Sequence, residues 1–331
     1  MLRRKFAGAL CSALILFSAL APARSETTKV RIGLQYGLVY LPIVVAEAEG
    51  LFKKQAQQLG LSDFEVTLNR LSGSTAINEA LLSKSVDFGA FGLPGLLIAW
   101  DKTRGRQHVK GIAGLSTINY YLYANKPGIR SLSDFTDKDK IAVPAFNSPQ
   151  AILLRVAAER LLGSASKADA LMVSLPHPEA TNALLAGQAI SGYFSTPPFS
   201  QVLAKDSRVH SVLVSSDVIE RGSAAGVGTT QGFVDENPKT TRAILAGLEQ
   251  AAELIKRDPD RAAEIYLNSE KVKLTKEELV GIINEGAITY DVVPHGVMAY
   301  SKFMQQQGML KTVPGSWQDV FFPLVSDQKG D

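Results

Sequence analysis

Residues 70–95 read RLSGSTAINEALLSKSVDFGAFGLPG. An apolar run stops at Leu71, a helical pattern starts at Gly73-Ser74-Thr75, and the apolar run VDFGAFG (86–92) follows, closing on Gly92-Leu93-Pro94. Outward from there the same alternation continues. KVRIGLQY (29–36) is an apolar strand, Pro42 opens the helix PIVVAEAE that stops at Gly50, FEVTLNRL (64–71) is the next strand, and VKGIAGLS (109–116) follows the opening stretch. Strands alternating with helices predict an α/β fold with a mostly parallel sheet flanked by helices.

A second unit repeats this grammar. KIAVPAF (140–146) is a strand, Asn147-Ser148-Pro149 opens the helix QAILLRVAAERLLG, ALMVSL (170–175) is a strand, and Pro178 opens a helix that leads to ISGYFSTPPF (190–199). With the chain slid over itself by 103 residues, Ala80, Leu81, Leu82, Gly89, Phe91 and Pro94 fall on Ala183, Leu184, Leu185, Gly192, Phe194 and Pro197. Two lobes built alike are therefore expected.

Beyond a further apolar stretch, AAGVGTTQGFV (224–234), Asn237-Pro238 starts a long amphipathic helix to Arg257 with Ile244, Leu248, Ala252 and Ile255 on one face. The remainder reads as helices packed on the first lobe. That makes the first lobe discontinuous, residues 24–116 with 222–331, around a second lobe of 117–221, and it predicts two crossings, near Leu115–Asn119 and Ser215–Gly222.

Residues 1–23 read as a cleaved export signal. Arg3, Arg4 and Lys5 precede an uncharged run from Phe6 to Ala21, and Ala21-Pro22-Ala23 offers small residues for cleavage. The signal takes with it the only cysteine, Cys11, and three of the 35 basic residues, leaving 32 against 32 acidic ones. Disulfides, thiol nucleophiles and cysteine metal sites are then excluded. The scattered basic residues give no nucleic-acid surface.

In an open parallel sheet ligands bind beyond the carboxyl ends of the strands, where helix N-termini point free N–H groups. That rule selects Gln35, Tyr36, Gly73, Ser74, Thr75 and Gly92 in the first lobe, and Asn147, Ser148 and Thr196 with one of Tyr193 and Phe194 in the second. Each has a plainer reading: Ser74 as a helix cap, the aromatics as core. His177 also falls at a cleft position, but its place before a helix reads as surface. The histidines 108, 177, 210 and 295 have no metal-ligand spacing, and Asp134, Asp137 and Asp139 lack the glycine of a calcium loop and read as a solvated turn. GVGTTQG (226–232) ends in Gln-Gly and opens no helix, so it is no dinucleotide fingerprint. No nucleophile-base or paired-carboxylate constellation emerges, and the expectation is a protein that is not an enzyme and carries no cofactor or metal.

In order, VRIGLQ, LPIVVAEAEGLFKK, GSTAINEALLSKSVDFGAFGLP, LSDFTDKDKIAVPAFNSPQ, ALLAGQAISGYFSTPPF and FVDENPKTTRAILAGLEQAAELIKRDP resemble the periplasmic substrate-binding proteins of nitrate/sulfonate/taurine-type ABC importers. The resemblance covers nearly all of the chain after the signal. It implies a type II two-lobed periplasmic-binding-protein fold that acts as a monomer, closes on a small solute between the lobes, and delivers it to a membrane permease driven by an ATPase. It places ligand contacts at Gln35, Gly73, Ser74, Thr75, Gly92, Asn147, Ser148 and Thr196. Two departures stand out. Thr196 occupies the place of a Trp in a frequent Trp-x-Pro, and Ile190-Ser191 lacks the usual acidic residue, so the solute is expected to differ from the sulfonates of that subgroup. A receptor for an aromatic acid or for a thiamine-pyrimidine precursor is the alternative. The related fungal pyrimidine synthase uses a cysteine-rich motif that the mature chain lacks.

Overall fold

The computed structural model describes residues 25–219, 222–286, 288–325 and 327–331. The expected export signal lies outside the described residues. Eleven strands are found among them: β1 (Lys29–Leu34), β2 (Glu65–Arg70), β3 (Phe88–Gly92), β4 (Val109–Ile118), β5 (Tyr121–Ala124), β6 (Ile141–Val143), β7 (Met172–Ser174), β8 (Gly192–Ser195), β9 (His210–Val214), β10 (Ser223–Thr230) and β11 (Ile288–Thr289). They form two sheets with helices packed around them, in the orders β11-β4-β10-β3-β1-β2 and β7-β6-β8-β5-β9.

Each sheet has a parallel trio. β1 runs parallel to β2 and β3, and β6 runs parallel to β7 and β8. The helices Ser74–Leu82 and His177–Ala186 precede the third strand of their trios, in line with the 103-residue offset. Beside each third strand lies one that arrives from the other sheet: β10, antiparallel to β3 and β4, and β5, antiparallel to β8 and β9. The sheets are therefore mixed where the sequence pattern suggested mostly parallel ones. A strand delivered from the far lobe enters with its direction set by that lobe. The crossings run from Ile118 to Tyr121 and from Val214 to Ser223.

Helix Pro238–Arg257 buries Ile244, Leu248, Ala252 and Ile255 as its spacing predicts, and it packs on helices Leu41–Ala48 and Leu51–Gln58 of the first lobe. The C-terminal part also adds a strand that the sequence pattern hid, β11, paired antiparallel to β4. GVGTTQG lies mostly on buried β10, flanked by two strands, but contrary to the sequence reading its end does open a helix, Gln231–Glu236, capped by the Thr230 hydroxyl, which accepts from the Phe233 N–H at 3.2 Å. None of the helices among the described residues is long and apolar enough to cross a membrane.

Asp134 and Asp137 are exposed, as a solvated turn requires, but Asp139 is not. Asp139 is only 4% exposed and accepts hydrogen bonds from the Thr136 N–H (2.9 Å), the Thr136 hydroxyl (2.8 Å) and the Ser191 hydroxyl (2.7 Å), besides pairing with Lys126. Burial alone would raise its carboxyl, but these donors outweigh it and hold the group well below the ordinary range. Ser191 sits 52 residues away and Lys126 13 away, so local spacing could not reveal the network.

Candidate functional site

The carboxyl ends of the two parallel trios face one another. After β1 the chain turns through Gln35, Tyr36 and Gly37, and Gly37 has φ +114, a value that L side chains rarely adopt. The turn aims two donors in different directions. The Gly37 N–H meets Glu270 (3.1 and 3.3 Å) within its own lobe, while the Leu38 N–H crosses to the Pro197 carbonyl of the other (3.0 Å). The Gln35 side chain, 4% exposed, donates from Nε2 to the Tyr40 hydroxyl at 2.8 Å.

The second lobe answers with three segments. Ser148 caps helix Pro149–Leu162, its hydroxyl accepting from the Ala151 N–H at 3.2 Å. His177 begins helix His177–Ala186, with Nδ1 2.5 Å from the Tyr193 hydroxyl and its ring stacked on Phe199 (centroids 5.5 Å, planes 18° apart). Thr196 follows β8; the residue is 1% exposed, and its hydroxyl has no hydrogen-bond partner among the described residues. Together with Tyr40 and Gln150, the residues Gln35, Ser148, His177 and Thr196 enclose a cavity of about 10 Å³, room for roughly one water. The cleft is thus nearly shut.

The sequence-selected residues divide into two groups. Gln35, Ser148 and Thr196 line the cavity, and Tyr193 stands behind it, holding His177. Phe194 points away and packs edge-on against Tyr120 at 6.4 Å. Thr75, Asn147, Gly73 and Gly92 sit where the lobes touch. Thr75 donates to Asn147 Oδ1 at 3.1 Å in an exposed contact, a Cβ on Gly73 would lie 2.6 Å from the Pro144 carbonyl oxygen, and a Cβ on Gly92 would lie 2.2 Å from Pro149 Cδ. Ser74 is buried within its own lobe and accepts from the Gly92 N–H at 3.3 Å. Tyr36 is half-buried, with the Arg70 guanidinium 5.6 Å over its ring.

Sequence reasoning placed His177 at the surface; the structure buries it at 4% exposure. The signal was present in Pro178, which fixes His177 as the first residue of a helix at the carboxyl end of β7. Tyr40, Gln150 and the pair Arg70–Glu270 went unselected. The Arg70 and Glu270 charges lie 2.6 Å apart at the back of the cleft, and Arg70 also donates to the Gln35 carbonyl at 2.5 Å. Burial pushes the Glu270 carboxyl up, opposed by Arg70, the Tyr266 hydroxyl (2.8 Å) and the Gly37 N–H.

Burial also pushes the His177 imidazole down to about 3, so it is neutral near pH 7. The unfolded chain would titrate near 6.5, so the buried neutral ring stabilises the fold fully above pH ~6.5, and this contribution falls as pH drops toward ~3. The wild type is therefore expected to lose up to about 2 kcal/mol relative to His177→Gln between pH 7.5 and 5, at about 1.4 kcal/mol per unit below pH 6.5. Urea midpoints for both proteins at the two pH values check this; parallel pH dependences would mean that the ring is solvated.

The NMT1-like family model matches residues 23–267. A comparison with curated protein sequences finds no match. Among solved structures, the alkanesulfonate-binding protein SsuA of Xanthomonas axonopodis pv. citri, bound to MOPS, superposes with a TM-score of 0.69 at 17% identity, over 87% of this chain and 96% of that one. The periplasmic nitrate-binding protein NrtA of Synechocystis PCC 6803 gives 0.72 at 14%, over 89% and 85%. A Candida albicans protein with the generic periplasmic binding protein fold gives 0.67 at 14%, over 91% and 95%. At these identities the likeness establishes the fold.

Proposed function

The chain belongs to the NMT1-like family and has the two-lobed periplasmic-binding-protein fold, and from that premise we propose that it is the solute-capturing receptor of an ABC importer. Exported to the periplasm by its N-terminal signal, it takes up a small organic anion or other polar solute between the lobes and hands it, as a closed monomer, to a permease powered by an ATPase. The observation that carries this reading is a shared cavity. Gln35 and Tyr40 come from one lobe, and Ser148, His177 and Thr196 from the other, so the cavity is walled by both lobes.

Closure of this kind couples to binding because a solute touching both walls favours the closed state by its differential affinity. A receptor should therefore become both more stable and more compact with its solute. At a solute concentration of 100 times Kd, stabilisation of about 2.7 kcal/mol is expected. Thermal shift against nitrate, sulfonates, aromatic carboxylates and uncharged polar solutes, followed by small-angle X-ray scattering on any hit, measures both. A hit without a fall in radius of gyration would argue against hinge closure. Indifference to every class would argue against a receptor.

A further inference from the structure

The charge of the cleft can be counted from its walls. Arg70 and Glu270 pair at 2.6 Å, and the Gly37 N–H and the Tyr266 hydroxyl also donate to Glu270. Among the described residues, none that lines the cavity is an Asp, Glu, Lys or Arg. The three helices that begin at the cavity wall, after Tyr40 and Ser148 and at His177, have a thinned capacity to grip an anion. Pro42, Pro149 and Pro178 remove an N–H from the first turns of the helices Leu41–Ala48, Pro149–Leu162 and His177–Ala186, and Ser148 already takes up the Ala151 N–H. Against this charge-free wall the Thr196 hydroxyl stands out as a buried polar group with no partner among the described residues. Buried hydroxyls are as a rule bonded, and a closing solute that presents a matching group would satisfy this one.

We infer that the cleft is built for an uncharged solute with a hydrogen-bonding edge, and that Thr196 selects it by bonding that edge. An anion sealed here would lose its hydration without gaining a countercharge, whereas an amide or a neutral heterocycle exchanges water for protein donors and acceptors. Gln35 and Tyr40 keep each other's position through their 2.8 Å bond, and His177 is positioned by Tyr193, so the surrounding polar groups are fixed before the solute arrives. The inference rests on the receptor reading and narrows it.

Isothermal titration of the mature protein at pH 7.5 tests it with two probe sets: nitrate, methanesulfonate and benzoate on one side, and nicotinamide, cytosine and acetamide on the other. The hit is then measured on Thr196→Val, which keeps the shape and removes the hydroxyl. The expected result is binding within the uncharged set, weakened at least tenfold in Thr196→Val, while the melting temperature of the ligand-free variant is unchanged or higher. A purely structural role for Thr196 would lower that temperature instead. Binding by the anionic set, or uncharged binding indifferent to Thr196→Val, would overturn the inference and leave the receptor standing. Binding by neither set would remove the receptor reading and this inference with it.

Discussion

Glu270→Ala is expected to destabilise the ligand-free protein by about 3 kcal/mol, read as a lowered urea midpoint at unchanged slope. Glu270, with a side chain 5% exposed, ends helix Pro259–Ser269 against the turn that follows β1. Its removal strands three groups at once. Arg70, with a side chain 19% exposed, loses its countercharge, the Gly37 N–H loses its acceptor, and the Tyr266 hydroxyl loses its own. An unpaired charge in partly buried surroundings dominates that sum, since breaking a buried pair costs more than replacing both members. Arg70→Met combined with Glu270→Ala should therefore be more stable than Glu270→Ala alone, by about 1 kcal/mol or more. If the two single changes simply added, the pair would be an accidental neighbourhood and not a coupled unit.

The same cluster shows where sequence reading stops. The parallel trios were legible because each strand and helix declares itself locally, through apolar runs ended by glycine or proline, and because Ala80–Pro94 repeats 103 residues later. Gln35, Ser148 and Thr196 were reachable by the rule that ligands sit beyond strand carboxyl ends. Glu270 was not, since it bonds the Gly37 N–H across 233 residues and no local pattern links the two. β5 was hidden for a related reason. It is short, and its strand character comes from having β8 and β9 on either side of it. The strand-end rule also says nothing of how deeply two lobes interpenetrate, and so it could not separate residues that face the cavity from those that face the opposite lobe. Gly73, Gly92, Thr75 and Asn147 belong to the second kind. In this structure their smallness or polarity serves contact with the other lobe.

That distinction has a direct test in Gly92→Ala, expected to weaken solute binding about 30-fold while leaving the ligand-free protein as stable as before. Gly92 has φ −54 and ψ 143, a conformation open to alanine, so the backbone itself accepts the change. What does not accept it is the closed cleft. The new methyl would lie 2.2 Å from Pro149 Cδ and 2.7 Å from Pro149 Cγ, where carbon atoms need about 3.5 Å, and the proline ring at a helix start has no other rotamer to take. Relief requires the lobes to stand apart by more than an ångström, which undoes the contacts between Leu38 and Pro197 and between Thr75 and Asn147 together. Overpacking of this kind costs about 2 kcal/mol, and because only the closed state bears it, the cost appears in affinity as a factor of about 30. Gly232→Ala, whose Cβ would meet nothing within 4 Å, is the matched control. Scattering should show that the Gly92→Ala protein no longer contracts fully at saturating solute. A variant that binds and contracts as the wild type does would mean that the working closed state holds the lobes farther apart at Gly92 and Pro149. A variant that loses about 2 kcal/mol without solute would mean that the protein closes unaided and that solute binding merely fills a cleft already shut.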